Sequence, residues 1–231
     1  MFGPIKYVVF DLDGTLVNTM PSVVRGLSEA VREGLGHGIP TEELVKSFGP
    51  APRDVLAKWM PPERVPAAMG HWLDFESRLG AEDLRPFPGV PELLEGLHAA
   101  RMPMAVFTGR DRRGALRILE LHGWTRFFGP ESLLAGDDGF PTKPRHEGLV
   151  MLLQRLGFDP ATTVMVGDHP HDATAGRAAG CKTAAALWDL PEGQGSQRSR
   201  FRAAWTKWDS VPVDVRLTEV GSLLAWAIRP E

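Results

Sequence analysis

Residues 8 to 16 read Val-Val-Phe-Asp-Leu-Asp-Gly-Thr-Leu, an apolar β-prone run that stops at two carboxylates and is followed at once by Gly14 and Thr15. Such a run is expected to form a buried strand, and the glycine allows the sharp exit of a tight turn. Side chains at i and i+2 share a face, so Asp11 and Asp13 are candidates to serve one ligand. A buried strand needs neighbours, and the pattern beyond residue 103 supplies them. Met104 to Phe107 and Thr163 to Val166 are short apolar runs, followed by helical spacing over 112 to 122 and 171 to 179, and Thr183 to Leu187 is a last candidate strand. This alternation predicts an α/β fold with a parallel sheet covered by helices on both faces. Ligands of open parallel sheets sit at the carboxyl ends of the strands, which is where Asp11, Thr108 and Asp168 fall.

Between the first strand and the later ones the pattern is helical. Met20, Val23, Val24, Leu27, Ala30 and Val31 lie on one helix face. Repeated Gly and Pro from 34 to 66 then cut the chain into short helical pieces such as 41 to 48 and 53 to 60. Arg85-Pro86-Phe87-Pro88-Gly89-Val90-Pro91 is a stiff connector, after which Leu93, Leu94, Leu97 and Ala100 resume a helix. The expectation is one core domain from residues 1–16 and 86–231, with a small helical domain inserted at 17–85. Near the end, Gly193 to Arg200 has the composition of a flexible loop, and Leu217 to Ile228 that of a closing amphipathic helix. Trp188, Trp205, Trp208 and Trp226 crowd this last portion, where packing is the expected role.

Composition narrows the function classes. The 231 residues are 43% hydrophobic and 24% charged with a net charge of -3, which is ordinary globular chemistry without the basic footprint of a nucleic-acid or membrane-surface binder. Cys181 is the single cysteine, so an internal disulfide is excluded. With no charged-then-apolar leader and no apolar run approaching the roughly 18 residues of a membrane span, the expectation is a soluble, cytoplasmic protein, monomer or homodimer.

Three further stretches carry chemistry. Phe107-Thr108-Gly109-Arg110 ends a strand with a hydroxyl and an unhindered amide; Thr142-Lys143-Pro144 precedes a helix, with Pro144 suited to the first helical position. Val166-Gly167-Asp168-His169-Pro170-His171-Asp172 ends an apolar strand in an acid, with a second acid four residues on and a small-residue helix behind it. Taken singly, each has a plain alternative: turn capping by Asp11 and Asp13, a solvated Lys143, an N-cap at Asp168. His169 and His171 raise the question of zinc, but carboxylate oxygens beside them favour a hard cation such as magnesium.

Together, in this order and at these strand ends, the four stretches resemble the motifs of the haloacid dehalogenase superfamily of aspartate-nucleophile phosphohydrolases. The resemblance spans residues 8 to 180, and the insertion matches the helical cap of phosphoglycolate phosphatase-like and β-phosphoglucomutase-like members. It implies a Rossmann-like core with Asp11 as nucleophile, Asp13 as general acid/base, and Thr108 and Lys143 stabilising the transferred phosphoryl group. Thr108, Gly109 and Arg110 are then substrate-binding, with Arg53 in the Phe48-to-Arg53 stretch a candidate specificity residue. The resemblance also implies Mg²⁺ held by Asp11, the Asp13 carbonyl and Asp168, with Asp172 either a further ligand or a support behind the ligands. His146 stands where the family often has a second proline. The implied activity is hydrolysis of a small phosphorylated metabolite. A phosphosugar mutase is the nearest alternative, against which Thr15 weighs; a non-catalytic binding protein on the same fold is a second.

Overall fold

The computed structural model describes residues 4–48, 52–188, 208 and 211–228. The chain divides into two compact units, Met1–Asn18 with Pro86–Glu231, and Thr19–Arg85.

The first unit is built on a sheet whose described strands all run parallel, in the order β3-β2-β1-β4-β5-β6. These are β1 (Tyr7–Phe10), β2 (Met104–Phe107), β3 (Leu133–Leu134), β4 (Thr163–Gly167), β5 (Lys182–Ala186) and β6 (Val215–Leu217). β1 lies between β2 and β4, in register Val8 to Met104 on one side and Val8 to Val164 on the other. The strand order reverses at β1, so its carboxyl end opens at a topological switch point. Val8, Val9 and Phe10 have no solvent exposure, as expected of a strand covered on both faces.

Among the described residues the α-helices of this unit are α5 (Val90–Ala99), α6 (Arg112–Leu121), α7 (Glu147–Leu156) and α8 (Pro170–Ala178), with a short α9 (Gly221–Ala227) near the end. On one face Leu149, Leu152 and Leu153 of α7 pack with Val9, Ala105, Phe107 and Met165 of the strands. The small residues of α8 let it lie close: a Cβ on Gly176 would sit 2.8 Å from Met165 Cβ. Trp208 is buried against Ala173 and Ala185, a packing role, whereas the indole N–H of Trp188 donates to the Thr15 carbonyl at 3.0 Å. Trp226 is half-buried; Trp205 and the stretch 193 to 200 lie outside the described residues.

The second unit holds α1 (Met20–Leu35), α2 (Thr41–Val45), α3 (Pro52–Ala57) and α4 (Val65–Arg78). Its core gathers Leu27, Ala30 and Val31 with Leu44, Val55, Leu56, Ala68 and Trp72. Gly26 lets α1 and α4 approach, since a Cβ there would meet the Phe75 ring at 2.4 Å.

Three local expectations are corrected. Pro66 does not break a helix: it stands in the first turn of α4, where its missing N–H costs no hydrogen bond. Leu217 belongs to β6, so the closing helix starts later, at Gly221. Pro144 does not begin α7. The Lys143–Pro144 peptide is cis, Arg145 N donates to the Thr142 carbonyl at 3.0 Å to close a turn, and the helix starts only at Glu147.

Candidate active site

β1 ends at Phe10, and Asp11 is the first residue of the turn beyond it. Its backbone N–H is still tied to the Val166 carbonyl of β4 at 2.9 Å, which fixes where its carboxylate emerges. The Asp11 Oδ1 accepts from the Leu12 amide at 2.7 Å and lies 2.7 Å from Lys143 Nζ. The same ammonium is 2.7 Å from Asp172 Oδ1. Lys143 thus bridges two buried carboxylates, with its charge 5.6 Å from the centre of the Phe107 ring.

The second acid stretch is organised by α8. The helix is capped by His169, whose Nδ1 accepts from the His171 amide at 3.1 Å, and by Asp172, which accepts from the His169 amide at 3.0 Å. Asp168 is therefore not the N-cap. It turns instead toward the loop after β1, where Thr15 Oγ1 donates to its Oδ1 at 3.2 Å. Gly14 makes this approach possible: its φ is +81°, and a Cβ would lie 2.3 Å from Asp168 Oδ2. Gly167 does the same for Asp172, with a Cβ only 2.1 Å from the carboxyl carbon.

The result is a trio of carboxylates, Asp11, Asp168 and Asp172, with one oxygen of each within 4.8 Å of the others. Three acids against one lysine leave an excess of negative charge in a desolvated place. Burial pushes the Asp11 carboxyl up to about 7, in spite of Lys143 and with Asp172 adding repulsion. Asp168 is raised well above the ordinary carboxylate range by desolvation, then by the charges of Asp11 and Asp172. Burial works against the Lys143 charge, but Asp11 and Asp172 outweigh it and hold the ammonium above its usual value. A cluster of hard oxygen donors that resists holding its own charge suits a hard divalent cation, and it contains no histidine.

Asp13 is held apart from this trio. Its carboxylate accepts from Arg110, Nη2 to Oδ1 at 2.7 Å and Nε to Oδ2 at 3.0 Å. Thr108 is buried at the end of β2; its Oγ1 accepts from the Arg110 amide at 3.1 Å, which leaves the hydroxyl proton to donate elsewhere. Gly109 is exposed beside it. The first unit thus carries Asp11, Asp13, Thr108, Gly109, Arg110, Lys143, Asp168 and Asp172 on turns at the ends of β1, β2 and β4 or, for Lys143 and Asp172, ion-paired or helix-borne beside them. Arg53 is an exposed residue of α3 in the second unit, and positions 49 to 51 of its stretch lie outside the described residues. Missed by the sequence reasoning were Gly136, whose amide donates to the Arg110 carbonyl at 2.7 Å, and the Trp188 bond to Thr15. No local pattern announces either, because each partner is distant in the chain.

Among the described residues no helix is long and apolar enough to cross a membrane. Residues 8–186 match the model of the haloacid dehalogenase-like hydrolase family. A phosphoglycolate phosphatase of Chromobacterium violaceum is 34% identical over 77% of this chain and 82% of its own length. A pyrophosphatase of Halalkalibacterium halodurans is 31% identical over 78% of this chain and 82% of its own. Among solved structures, a haloacid dehalogenase-like family hydrolase of Streptococcus pneumoniae superposes with a TM-score of 0.75 at 22% identity, covering 96% of this chain and 98% of that one. The chain belongs to the haloacid dehalogenase-like hydrolase family.

Proposed function

We propose that this protein is a Mg²⁺-dependent phosphatase that hydrolyses a small phosphate monoester through a phosphorylated Asp11. The observation that carries the reading is the carboxylate trio of Asp11, Asp168 and Asp172 beside Lys143 at the carboxyl ends of β1 and β4. Phosphate monoesters are among the slowest bonds to hydrolyse in water, so a nucleophile and a concentrated positive field are both needed. The trio, with the Asp13 carbonyl, would hold the cation, which supplies charge to offset repulsion between the Asp11 carboxylate and a phosphate dianion.

The chain's own groups do the remaining work. An oxygen of Asp11 attacks phosphorus as the bond to the leaving oxygen breaks, and Asp13 gives that oxygen its proton. In the second half, Asp13 takes a proton from water, the water oxygen attacks the same phosphorus, and inorganic phosphate departs with Asp11 restored. Lys143 stays protonated and balances charge on the phosphoryl oxygens, while the Thr108 hydroxyl and Gly109 amide donate to them. Phosphoglycolate-like acids and sugar phosphates are the leading substrate class, in keeping with the relative named for phosphoglycolate. The helical unit at Thr19–Arg85, with Arg53, is the element expected to select among them.

The direct test is release of p-nitrophenol from p-nitrophenyl phosphate by purified full-length protein. Activity is expected with Mg²⁺, abolished by a chelator, with a beryllium fluoride adduct on Asp11. No turnover on this probe or on a panel of phosphorylated metabolites would overturn the reading.

A further inference from the structure

The buried guanidinium of Arg110 is paired with Asp13. Its side chain is only 7% exposed, yet the fork faces the partly exposed Asp13 carboxylate, with Nη2 and Nε reaching both oxygens at 2.7 to 3.2 Å. Burial disfavours the Arg110 charge, but Asp13, with Asp111 and Asp11, outweighs it and the cation is kept. The Arg110 backbone is fixed on both sides as well. Its amide donates to Thr108 Oγ1 at 3.1 Å, and its carbonyl accepts from Gly136 at 2.7 Å. A Cβ on Gly136 would lie 2.3 Å from the Gly109 carbonyl oxygen, so the loop after β3 presses directly on this turn.

From this geometry we propose that Arg110 is a positioning residue: it acts through Asp13, holding the carboxylate in one orientation, and does not serve as a ligand for the phosphoryl group. The proposal rests on the reading of Asp13 as the acid/base. A planar fork reaching both oxygens fixes rotation about the carboxylate, which a single ammonium cannot do. Misplacing a catalytic group by about 1 Å can cost about 100-fold. A residue that works this way leaves substrate affinity alone and changes only the rate of steps in which Asp13 moves a proton.

The test is a double-mutant cycle on the full chain, with kcat and KM measured on p-nitrophenyl phosphate and on an alkyl phosphate. R110A is expected to lower kcat by about 10- to 100-fold with KM within about twofold, and to lose more on the alkyl phosphate, whose leaving group needs the proton. Added guanidinium is expected to restore part of the R110A rate. R110K, which keeps the positive charge, is expected to fall between R110A and wild type, so the inference remains testable where R110A does not accumulate. In a D13N background, R110A is expected to change kcat less than about twofold.

A raised KM at unchanged kcat would overturn the proposal by placing Arg110 on the substrate, and so would an equal loss in both backgrounds. Failure of the underlying reading looks different: wild-type protein would be inactive, or D13N would be as fast as wild type. Active wild type, a slow D13N and additive losses would sink the role of Arg110 alone.

Discussion

Asp11 and Lys143 set the charge balance of the carboxylate cluster at the scale of single residues. An aspartate raised from 3.8 to about 7 by burial binds its proton more tightly in the folded chain than in the unfolded one. The folded state therefore carries more protons between those two values, and its stability falls as pH rises through that window. Chelated protein is expected to melt at a lower temperature at pH 7.5 than at pH 5, with Mg²⁺ restoring most of the difference at the higher pH. A flat or rising profile in a chelator, followed by thermal melts, would count against the charge excess described above. Replacing Asp11, the proposed nucleophile, gives a second prediction at this scale. D11N is expected to lose at least roughly 10⁴-fold in turnover while keeping its circular dichroism spectrum. These residues were legible as candidates because each sits within a short stretch, such as Asp11-Leu12-Asp13-Gly14-Thr15. The pairing of Asp13 with Arg110 was not, since the two are brought together only when β1 and β2 align.

At the scale of elements, the turns do as much as the strands. Gly14 combines a left-handed φ of +81° with an Asp168 carboxylate oxygen that would lie 2.3 Å from any Cβ placed there. G14A is expected to destabilise the protein by about 1–2 kcal/mol from backbone strain alone. It is also expected to weaken Mg²⁺ binding roughly 10- to 100-fold by displacing Asp168, as read by calorimetric titration and urea unfolding. β1, β2, β4 and β5 were readable as apolar runs bounded by turn residues. β3 was not, because Leu133–Leu134 is too short to show a pattern and exists by pairing with Val106 and Phe107. α4 was hidden for another reason: Pro66 is a breaker in mid-helix and a good residue in a first turn, and the sequence does not say which until the helix is placed.

For the whole molecule, the lone cysteine is an internal reporter. Cys181 packs under the sheet beside Met165 and Ala175, is 7% exposed, and its thiol is pushed up to about 12 by burial. Native protein is expected to resist a thiol-specific disulfide reagent, reacting only as fast as its core opens, and Mg²⁺ is expected to slow that reaction further. Rapid labelling of folded protein would show that the first unit opens beside the start of β5. Chain order alone determined the alternation of strand and helix, the helical character of the Thr19–Arg85 stretch and the acids at the strand ends, because each depends on side-chain periodicity and turn chemistry within a few neighbours. Tertiary structure decided which charges meet: Lys143 between Asp11 and Asp172, Thr15 on Asp168, and Arg110 on Asp13. Those contacts join residues from 29 to 153 positions apart, and electrostatic interactions and desolvation depend on distance in space, which only the parallel sheet sets.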